Sequence, residues 1–425
     1  MLKTKTKLIA LSVATLSILL SGCGGSDASS SDPITSALSG QFVDGYVQGA
    51  HYECADGKSG ETGMNGEFSC DTMPVTFRLA GLKLGTIANM PLDKHVFPQD
   101  LIGVDRNDTN NSEVIAMAQL LQSLDVDDNP DNGIEIDMTA IGSITVEEDF
   151  DENNLDEYIR DANVTKVGED EAKGHLEKTQ NQVEMIEQAE LPDDVSSALN
   201  TVLYTLTDEV KNDLAYMGNE ERLAYDIYNK LYTYFPEKQL QNIATNSEIK
   251  HIATVKALIQ KYDINGTELS VTDVNTSSLS VDVDVNAVGV AGVYDIQVIQ
   301  DLYDVLLEKG QKSAVDALQV GCMVEVTDIT DLDKDIGDAQ DSNASDVVSA
   351  FEFLRGGSYS HYWAFDSGLK NQGIEDGCCS LGAEYCKTEA EYPKKEKGSS
   401  SETHNEGSTQ KGEGSHDGNG YRGGM

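Results

Sequence analysis

Apolar side chains recur every three or four positions along residues 205–370, which is the period of an amphipathic α-helix. The pattern predicts five helices, at about 208–235, 236–262 and 294–309, and from near Ser313 and Ser345 onward. Thr207 and Ser313 stand where hydroxyl side chains can cap a helix. A β-prone segment, 265–292, separates the second helix from the third. The region therefore predicts a helical bundle with one long crossover.

Polar and ionisable residues stand inside these apolar stripes, where leucine would be expected. Four helices carry them, as Glu221, Glu248 with His251, Glu325 with Asp328, and Ser358 with His361. Side chains three positions apart project from one helix face, so facing helices would bring these groups together. A buried carboxylate must be neutral, paired or bound to metal, because its desolvation costs several kcal/mol. We therefore expect a metal site, with a polar or salt-bridged core as the alternative.

Four motifs in the same region resemble one bacterial family. They are LAYMGNEERLAYDIY at 214–228, SEIKH at 247–251, ALQVG with EVTDI at 317–321 and 325–329, and GSYSHYWAF at 357–365. The family is catalogued as domain of unknown function 2202, within the ferritin-like superfamily. The resemblance covers about 205–370 and implies a ferritin-like, all-α four-helix bundle.

The resemblance also implies a ligand set. Glu221, Ala224 and Tyr228 fit the superfamily pattern Glu-x-x-Ala-x-x-x-Tyr, so Glu221 corresponds to the first-helix ligand. The other implied ligands are Glu248, His251, Glu325 and His361, whereas Glu220 is expected to point away from them. Ser358 departs from the usual superfamily pattern because a second bridging Glu is expected there, and Asp328 is its expected replacement. The departure leaves open whether one metal or two bind.

Mixed carboxylate and imidazole ligands suit iron or manganese better than zinc. A dinuclear site of this kind implies a metal-dependent oxidase or peroxidase acting with dioxygen or peroxide. The alternative is a non-catalytic surface protein that binds metal or serves as an adhesion scaffold. The sequence assigns no catalytic residue, and it leaves the substrate, electron donor and oligomeric state unknown.

The first residues have the pattern of a secretory signal. A short apolar run, 8–20, follows three lysines and precedes small residues, which predicts a signal peptide at 1–22. Cys23 directly follows Leu-Ser-Gly, and this arrangement resembles the bacterial lipobox, in which the cysteine is acylated. We therefore expect a lipid-anchored envelope protein, in the outer membrane because no Asp follows Cys23. An ordinary signal peptide with an incidental cysteine is the alternative.

A flexible tether is expected at 23–39, and a β-rich module with flanking helices at 40–190. Short alternating runs broken by glycine predict a small antiparallel unit, with helices at about 113–124 and 169–189. The sequences DGYV at 44–47 and GMNGEF at 63–68 resemble N-terminal modules of bacterial surface lipoproteins and adhesins. The predicted fold class is thus multidomain α+β.

The cysteines are interpreted for an oxidising compartment. Cys54 and Cys70 are expected to pair, and one pair is expected among Cys378, Cys379 and Cys386. Cys322 lies in a helical stripe and is expected as a free core thiol. The last three cysteines belong to an extension, 371–393, and the Gly/Ser/Lys/Glu-rich tail, 394–425, is expected to be disordered.

An acidic loop in the N-terminal part has oxygen side chains at alternate positions, as calcium loops do. Its candidate ligands are Asp125, Asp127, Asn129 and Asp131. The loop lacks the terminal glutamate of an EF-hand, so a solvated acidic turn is the alternative interpretation.

Charge excludes one class of partner. The 425 residues contain 74 Asp and Glu against 30 Lys and Arg, a net charge of −44. Such a field repels phosphate and attracts cations, so we expect metal ions and no nucleic acid as partners. The membrane is expected as a partner through the lipid anchor.

Overall fold

The computed structural model describes residues 38–141, 148–264, 289–294 and 296–394. The expected signal peptide, Cys23, most of the tether and nearly all of the tail lie outside these ranges, as does most of the β-prone segment. Within the described ranges, no helix is both long enough and apolar enough to span a membrane.

Short strands dominate the described chain up to Asp149. They are β1 Leu38–Phe42, β2 Val47–Gln48, β3 His51–Cys54, β4 Ser59–Glu61, β5 Glu67–Cys70, β6 Val75–Leu79, β7 Leu82–Ile87, β8 His95–Val96, β9 Ile134–Glu135 and β10 Glu148–Asp149. They form sheets with the orders β5–β1–β8, β10–β7–β6–β3–β4 and β2–β9. Val75, Phe77 and Leu79 alternate along β6 and are buried, which explains why this sequence forms a strand with one core-facing side.

These sheets are mixed, and the expectation of an antiparallel unit is only partly correct. The pairs β3–β6, β6–β7, β3–β4 and β1–β5 are antiparallel. The pairs β1–β8, β7–β10 and β2–β9 are parallel. Parallel partners lie far apart in the sequence, so the alternation within each strand could not reveal them.

Helices accompany and follow the strands. Those of the N-terminal part are α1 Pro98–Ile102, α2 Ser112–Ser123, α3 Met138–Ile141, α4 Leu155–Ala162, α5 Glu169–Glu187 and α6 Asp193–Leu199. The side chain of Asn111 caps α2 by accepting hydrogen bonds from the backbone amides of Glu113 and Val114. The two helices predicted here correspond to α2 and α5.

The second half of the chain is helical, and the fold is α+β as predicted. Its helices are α7 Asp208–Tyr234, α8 Lys238–Ile243, α9 Ile249–Lys261, α10 Gln297–Gly310, α11 Ala314–Asp341 and α12 Ser345–Asn371. Thr207 caps α7, and Ser313 caps α11 by accepting a hydrogen bond from the Asp316 amide. Between α8 and α9, residues Ala244–Glu248 form a single π-helical turn, so the predicted second helix is continuous but locally widened.

Apolar residues from the bundle helices form one core. Leu214, Leu231, Leu318, Phe351 and Phe365 are fully buried in it. The stripe spacing predicted these positions, because three and four residues make nearly one helical turn. The core holds the helices that carry the candidate ligands.

Three disulfide bonds lie within the described chain. Cys54 is bonded to Cys70, as expected, and Cys379 is bonded to Cys386. The expectation for Cys322 is wrong, because this residue is bonded to Cys378. Helical periodicity showed that Cys322 faces the core but could not show that Cys378 reaches the same place.

The extension after α12 packs onto the bundle. Cys378 and Tyr392 are buried in the bundle core, and the Trp363 indole donates a hydrogen bond to the Tyr392 carbonyl oxygen at 2.9 Å. The extension is therefore a structural part of the helical region.

The β-rich and helical parts share a contact surface through α5 and α9. Val183 and Ile186 on α5 pack in one cluster with Ile249 and Ile252 on α9. Lys256 on α9 also forms an ion pair with Glu187 on α5. The helix that carries two candidate ligands is thus braced from outside the bundle.

Replacing both Cys322 and Cys378 with Ala should lower the free energy of unfolding by roughly 4 kcal/mol, the value expected for a loop of this length. The bond spans 56 residues, whereas Cys379–Cys386 spans 7. Removing the shorter bond should therefore cost less, about 2.5 kcal/mol in the same chain-entropy treatment. Denaturant unfolding of the two double variants measures both values, and an equal or reversed order would contradict this ranking.

Candidate metal centre

The first group of candidate ligands joins α7 to the start of α9. The Nδ1 atom of His251 lies 3.0 Å from Oε2 of Glu221 and 3.0 Å from Oε2 of Glu248. All three side chains are at least 98% buried. One ligand atom from each lies within 4.8 Å of the others, so the three could hold a metal ion.

A second group of the same composition adjoins the first. Nδ1 of His361 lies 3.1 Å from Oε1 of Glu248 and 3.3 Å from Oε2 of Glu325. This group also satisfies the 4.8 Å limit and is buried. It brings α11 and α12 to the point where α7 and α9 already meet.

Glu248 belongs to both groups. Its Oε2 faces His251 and its Oε1 faces His361, so one carboxylate spans the two positions. The two imidazole rings stack with their centroids 5.4 Å apart. Such sharing is the arrangement in which a carboxylate bridges two metal ions.

The π turn explains the position of Glu248. The turn ends at Glu248, and it contains Ser247, whose Oγ lies 2.7 Å from Nε2 of His361. A π turn adds a residue to the helical turn and rotates the following side chains, and such turns are frequent at functional sites. The wider turn thus places both Glu248 and Ser247 on the core side.

Asp328 lies close to the ligands of both groups. Burial and the nearby Glu221 and Glu325 carboxylates raise its pKa well above the usual range. Ser358 acts to lower that pKa, but its hydroxyl donates to the Leu354 carbonyl oxygen at 3.1 Å. Neither oxygen of Asp328 is hydrogen-bonded within the described part of the chain. Asp328 therefore offers two unused oxygens beside both groups.

The protonation of the centre follows from its burial and its mixed charges. Burial raises the pKa of Glu221 to about 7, although His251 acts to lower it. Burial acts to raise the pKa of Glu248 as well, but His361 and His251 bring it below its usual value. Burial acts to lower the pKa of His361, yet Glu248 and Glu325 raise it to about 10. In the metal-free protein, protons thus supply the positive charge that the carboxylates require.

Comparison with known proteins places this part of the chain in a family. Residues 210–385 match the family model described as an uncharacterized protein domain, DUF2202. The uncharacterized protein MJ0754 of Methanocaldococcus jannaschii is 36% identical over 168 residues, which is 40% of this chain and 79% of the relative. This chain belongs to the DUF2202 family.

A solved structure is also similar to this chain. It is the crystal structure of hypothetical protein MJ0754 from Methanococcus jannaschii DSM 2661, at 34% identity. The match covers 41% of this chain and 87% of that one, with a TM-score of 0.34.

The DUF2202 region brings all of the candidate metal ligands together. Glu221, Glu248, His251, Glu325 and His361 supply the atoms of the two groups, and Asp328 lies beside them. Tyr228, which the sequence placed in the same stripe, donates a hydrogen bond to Oε1 of Glu325 at 2.6 Å. Gly357 gives the room that His251 needs, because a Cβ atom there would lie 2.4 Å from Nε2 of the imidazole.

Sequence reasoning missed two features of this centre. Ser247 was not recognised as a partner of His361, because a serine next to a ligand carries no distinctive signal. Glu220 belongs to neither of the two ligand groups, and it is 95% buried. Its neighbours Asp328, Asp331 and Asp335 repeat at helical spacing along α11, and that pattern is visible in the sequence.

The acidic side chains of the candidate calcium loop form hydrogen bonds and an ion pair. Asp125 accepts hydrogen bonds from the amides of Asn129 and Glu135, and Asp127 accepts one from the Asn132 side chain. Asp131 is paired with Lys178 at 2.5 Å. These bonds stabilise the loop, and calcium binding there stays a prediction.

The metal-free protein should lose stability as the pH rises from about 4.5 to about 10. A raised carboxyl pKa, such as that of Glu221, means that the folded state binds a proton more tightly, so stability falls as that proton leaves. The raised pKa of His361 also makes stability fall as the pH rises, in the range between the ordinary imidazole pKa and about 10.

Thermal melting of chelator-treated protein across this pH range measures the slope. Asp335→Asn should flatten it, because burial and Asp213 raise the pKa of Asp335 to about 8. The exposed Asp333→Asn on the same helix is the matched control and should keep the wild-type slope. Stability that rises with pH in this range would contradict the assignment of charges.

Proposed function

We propose that the DUF2202 region is a ferritin-like bundle holding a carboxylate-bridged dinuclear metal centre. The observation that carries the proposal is the sharing of Glu248 between two groups of the same composition. One ion would be held by Glu221, His251 and Glu248, and the other by Glu325, His361 and Glu248. Asp328 would supply the second shared carboxylate, in the role for which Ser358 is unsuited.

Charge balance supports two divalent ions. Glu221, Glu248, Glu325 and Asp328 carry four negative charges when ionised, and neutral His251 and His361 carry none. Two divalent cations would neutralise this set. A buried group of unpaired carboxylates would otherwise have to take up protons or destabilise the fold.

The ligand types favour iron or manganese. Carboxylate oxygens are hard ligands and imidazole is intermediate, a combination found in sites for these metals, whereas thiolates are absent from the two groups. Zinc in structural sites prefers four ligands with cysteine or histidine among them. We therefore propose iron or manganese as the cofactor.

When bound, two such ions supply redox equivalents to dioxygen or peroxide, so the proposed activity is that of an oxidase or peroxidase. The chain's own residues would hold and shield the centre. Tyr228 fixes the orientation of Glu325, and Ser247 fixes that of His361. The apolar core around them limits access of water, which strengthens the electrostatic interactions inside.

A non-catalytic role is the second candidate function. It is favoured by the β-rich module, which packs directly on α9 and resembles adhesin modules. In this case the centre would bind metal to stabilise a surface scaffold, and it would not turn over.

We also propose an envelope location with a lipid anchor at Cys23. Three disulfides in the described chain are consistent with an oxidising compartment. The proposal itself rests on the lipobox-like sequence before Cys23.

Metal removal tests the centre. Wild-type protein should melt at a lower temperature after chelation, because ligands that bind the native state stabilise it by mass action. Glu248→Gln removes the shared charge and should abolish most of this difference. Glu352→Gln changes the same residue type at an exposed position on α12 and should behave as wild type. Identical melting of wild type with and without chelator, after incubation with iron or manganese, would contradict the centre.

Turnover separates the two candidate functions. Metal-loaded wild type is mixed with ferrous iron and dioxygen, or with peroxide and a reductant, and His251→Leu serves as the comparison. Leu suits both the helix and its apolar stripe, so this variant should fold yet lose metal and activity. A metal-loaded protein with no turnover in either assay would favour the scaffold.

Replacing Cys23 with Ser should release the protein from membranes, because acylation needs the sulfur atom and stable anchoring needs more than one acyl chain. Membrane and soluble fractions of cells producing each form are compared by immunoblot. An unchanged membrane fraction for Cys23→Ser would contradict the lipid anchor.

A further inference from the structure

A line of carboxyl groups runs between α7 and α11, from the protein surface to the metal centre. We call it the acidic seam, and its members are Asp213 and Glu220 on α7 and Asp328, Asp331, Asp335 and Asp338 on α11. The four aspartates of α11 lie three or four positions apart, on one face of the helix. At 1.5 Å per residue the seam is about 15 Å long.

The outer end of the seam already attracts a cation. Oxygens of Asp213, Asp335 and Asp338 lie within 4.8 Å of one another. The ammonium group of Lys334 lies 3.2 Å, 3.3 Å and 2.7 Å from these three carboxylates. Lys334 is largely exposed, so its flexible side chain can leave the cluster. The ammonium group therefore occupies a position in which a hydrated metal ion would also be attracted.

Glu220 lies in the middle of the seam, where it is a buried carboxyl group among other carboxyl groups. Its side chain is 95% buried, and its Oε2 has no hydrogen-bond partner within the described residues. Its neighbours are Asp331, which shares a hydrogen bond with it, and Asp328 and Asp335. Such a carboxyl group must take up a proton or bind a cation, and a metal ion that passes along the seam would fill the second role.

The inner end of the acidic seam, between Glu220 and Asp328, has space for a hydrated ion. A cavity of about 70 Å³ lies between α7, α10 and α11, and its acidic lining residues are Glu220 and Asp328. Because a water molecule needs about 10–15 Å³ of such volume, the cavity has room for several. Apolar side chains such as Leu223, Leu306 and Val324 form most of the remaining wall. Glu220 and Asp328 thus face the same cavity, and an ion that moved between them would stay inside it.

We propose that the acidic seam is the route by which divalent metal ions enter the centre, with Glu220 and Asp331 as a transit site. This inference rests on the proposed dinuclear centre, since the seam ends at Asp328 beside its ligands. A carboxylate-lined passage with low-dielectric walls concentrates cations and accelerates their capture. Ions would bind weakly at the transit site, because the residues there offer only two carboxyl groups. They would then move on to the dinuclear centre, which offers more ligands.

The rate of metal uptake tests the route. Metal-free protein is mixed with cobalt(II), whose visible absorption reports binding to carboxylate and imidazole ligands, in a stopped-flow instrument. Glu220→Gln and Asp331→Asn should each slow uptake about tenfold, the lower end of the gain that charged clefts give. Both should still bind as much cobalt at equilibrium as wild type. Asp331 is only partly buried, so its variant should fold even if the Glu220 variant does not.

Two further variants make the result specific. Asp333→Asn removes one exposed charge from the same helix outside the seam, so its uptake should match that of wild type. Lys334→Gln removes the competing ammonium group, so its uptake should be faster than that of wild type. General destabilisation would not produce opposite changes in rate.

The outcomes separate this inference from the proposed function. Wild-type rates for both seam variants, or slowing equal to that of Asp333→Asn, would overturn the route while leaving the centre intact. A lower final amount of cobalt in Glu220→Gln would also overturn it, because Glu220 would then act as a ligand. If wild type takes up no cobalt, the centre and the route both fail.

Discussion

The burial of many carboxyl groups among helices is the constraint on which the helical half of this structure depends. Glu221, Glu248, Glu325 and Asp328 are withdrawn from water at one point, and the positive charge that faces them within the described ranges comes from His251 and His361. Such a set can persist only when protons or cations neutralise it. The stacked imidazoles, the π turn and the Tyr228 hydrogen bond all lie at this point.

The rest of the fold holds this centre in place from outside. The Cys322–Cys378 bond fixes α11 one helical turn before Glu325, and the extension that carries Cys378 also packs against α12. On the opposite side, α5 braces α9 just beyond His251. The ligands come from four separate helical segments, so such bracing preserves their geometry better than the helices could alone. The DUF2202 match continues to residue 385, which agrees with the extension being part of this unit.

The candidate ligands could be predicted from the sequence because the spacing of residues along a helix determines which of them face the core. Glu248 and His251 lie three residues apart in an apolar stripe, and this spacing predicted that both would face the core. The π turn could not be predicted, since it depends on how α8 and α9 pack against α7. The Cys322–Cys378 bond and the parallel strand pairs were missed for a similar reason, because long-range contacts leave no local pattern. The burial of Glu220 was not predicted, because the stripe pattern assumes one buried face, whereas α7 is buried on two.

The central claim is that Glu248 is shared between two metal ions. A crystal structure of protein loaded with manganese, with anomalous scattering recorded to locate the metal, tests this claim directly. We expect two manganese ions for each chain, roughly 3.5–4 Å apart as in other two-metal sites. One should be bound by Glu221 and His251, the other by Glu325 and His361, with Glu248 bound to both. A single ion, two ions without a common carboxylate, or none beside Glu248 would contradict the account.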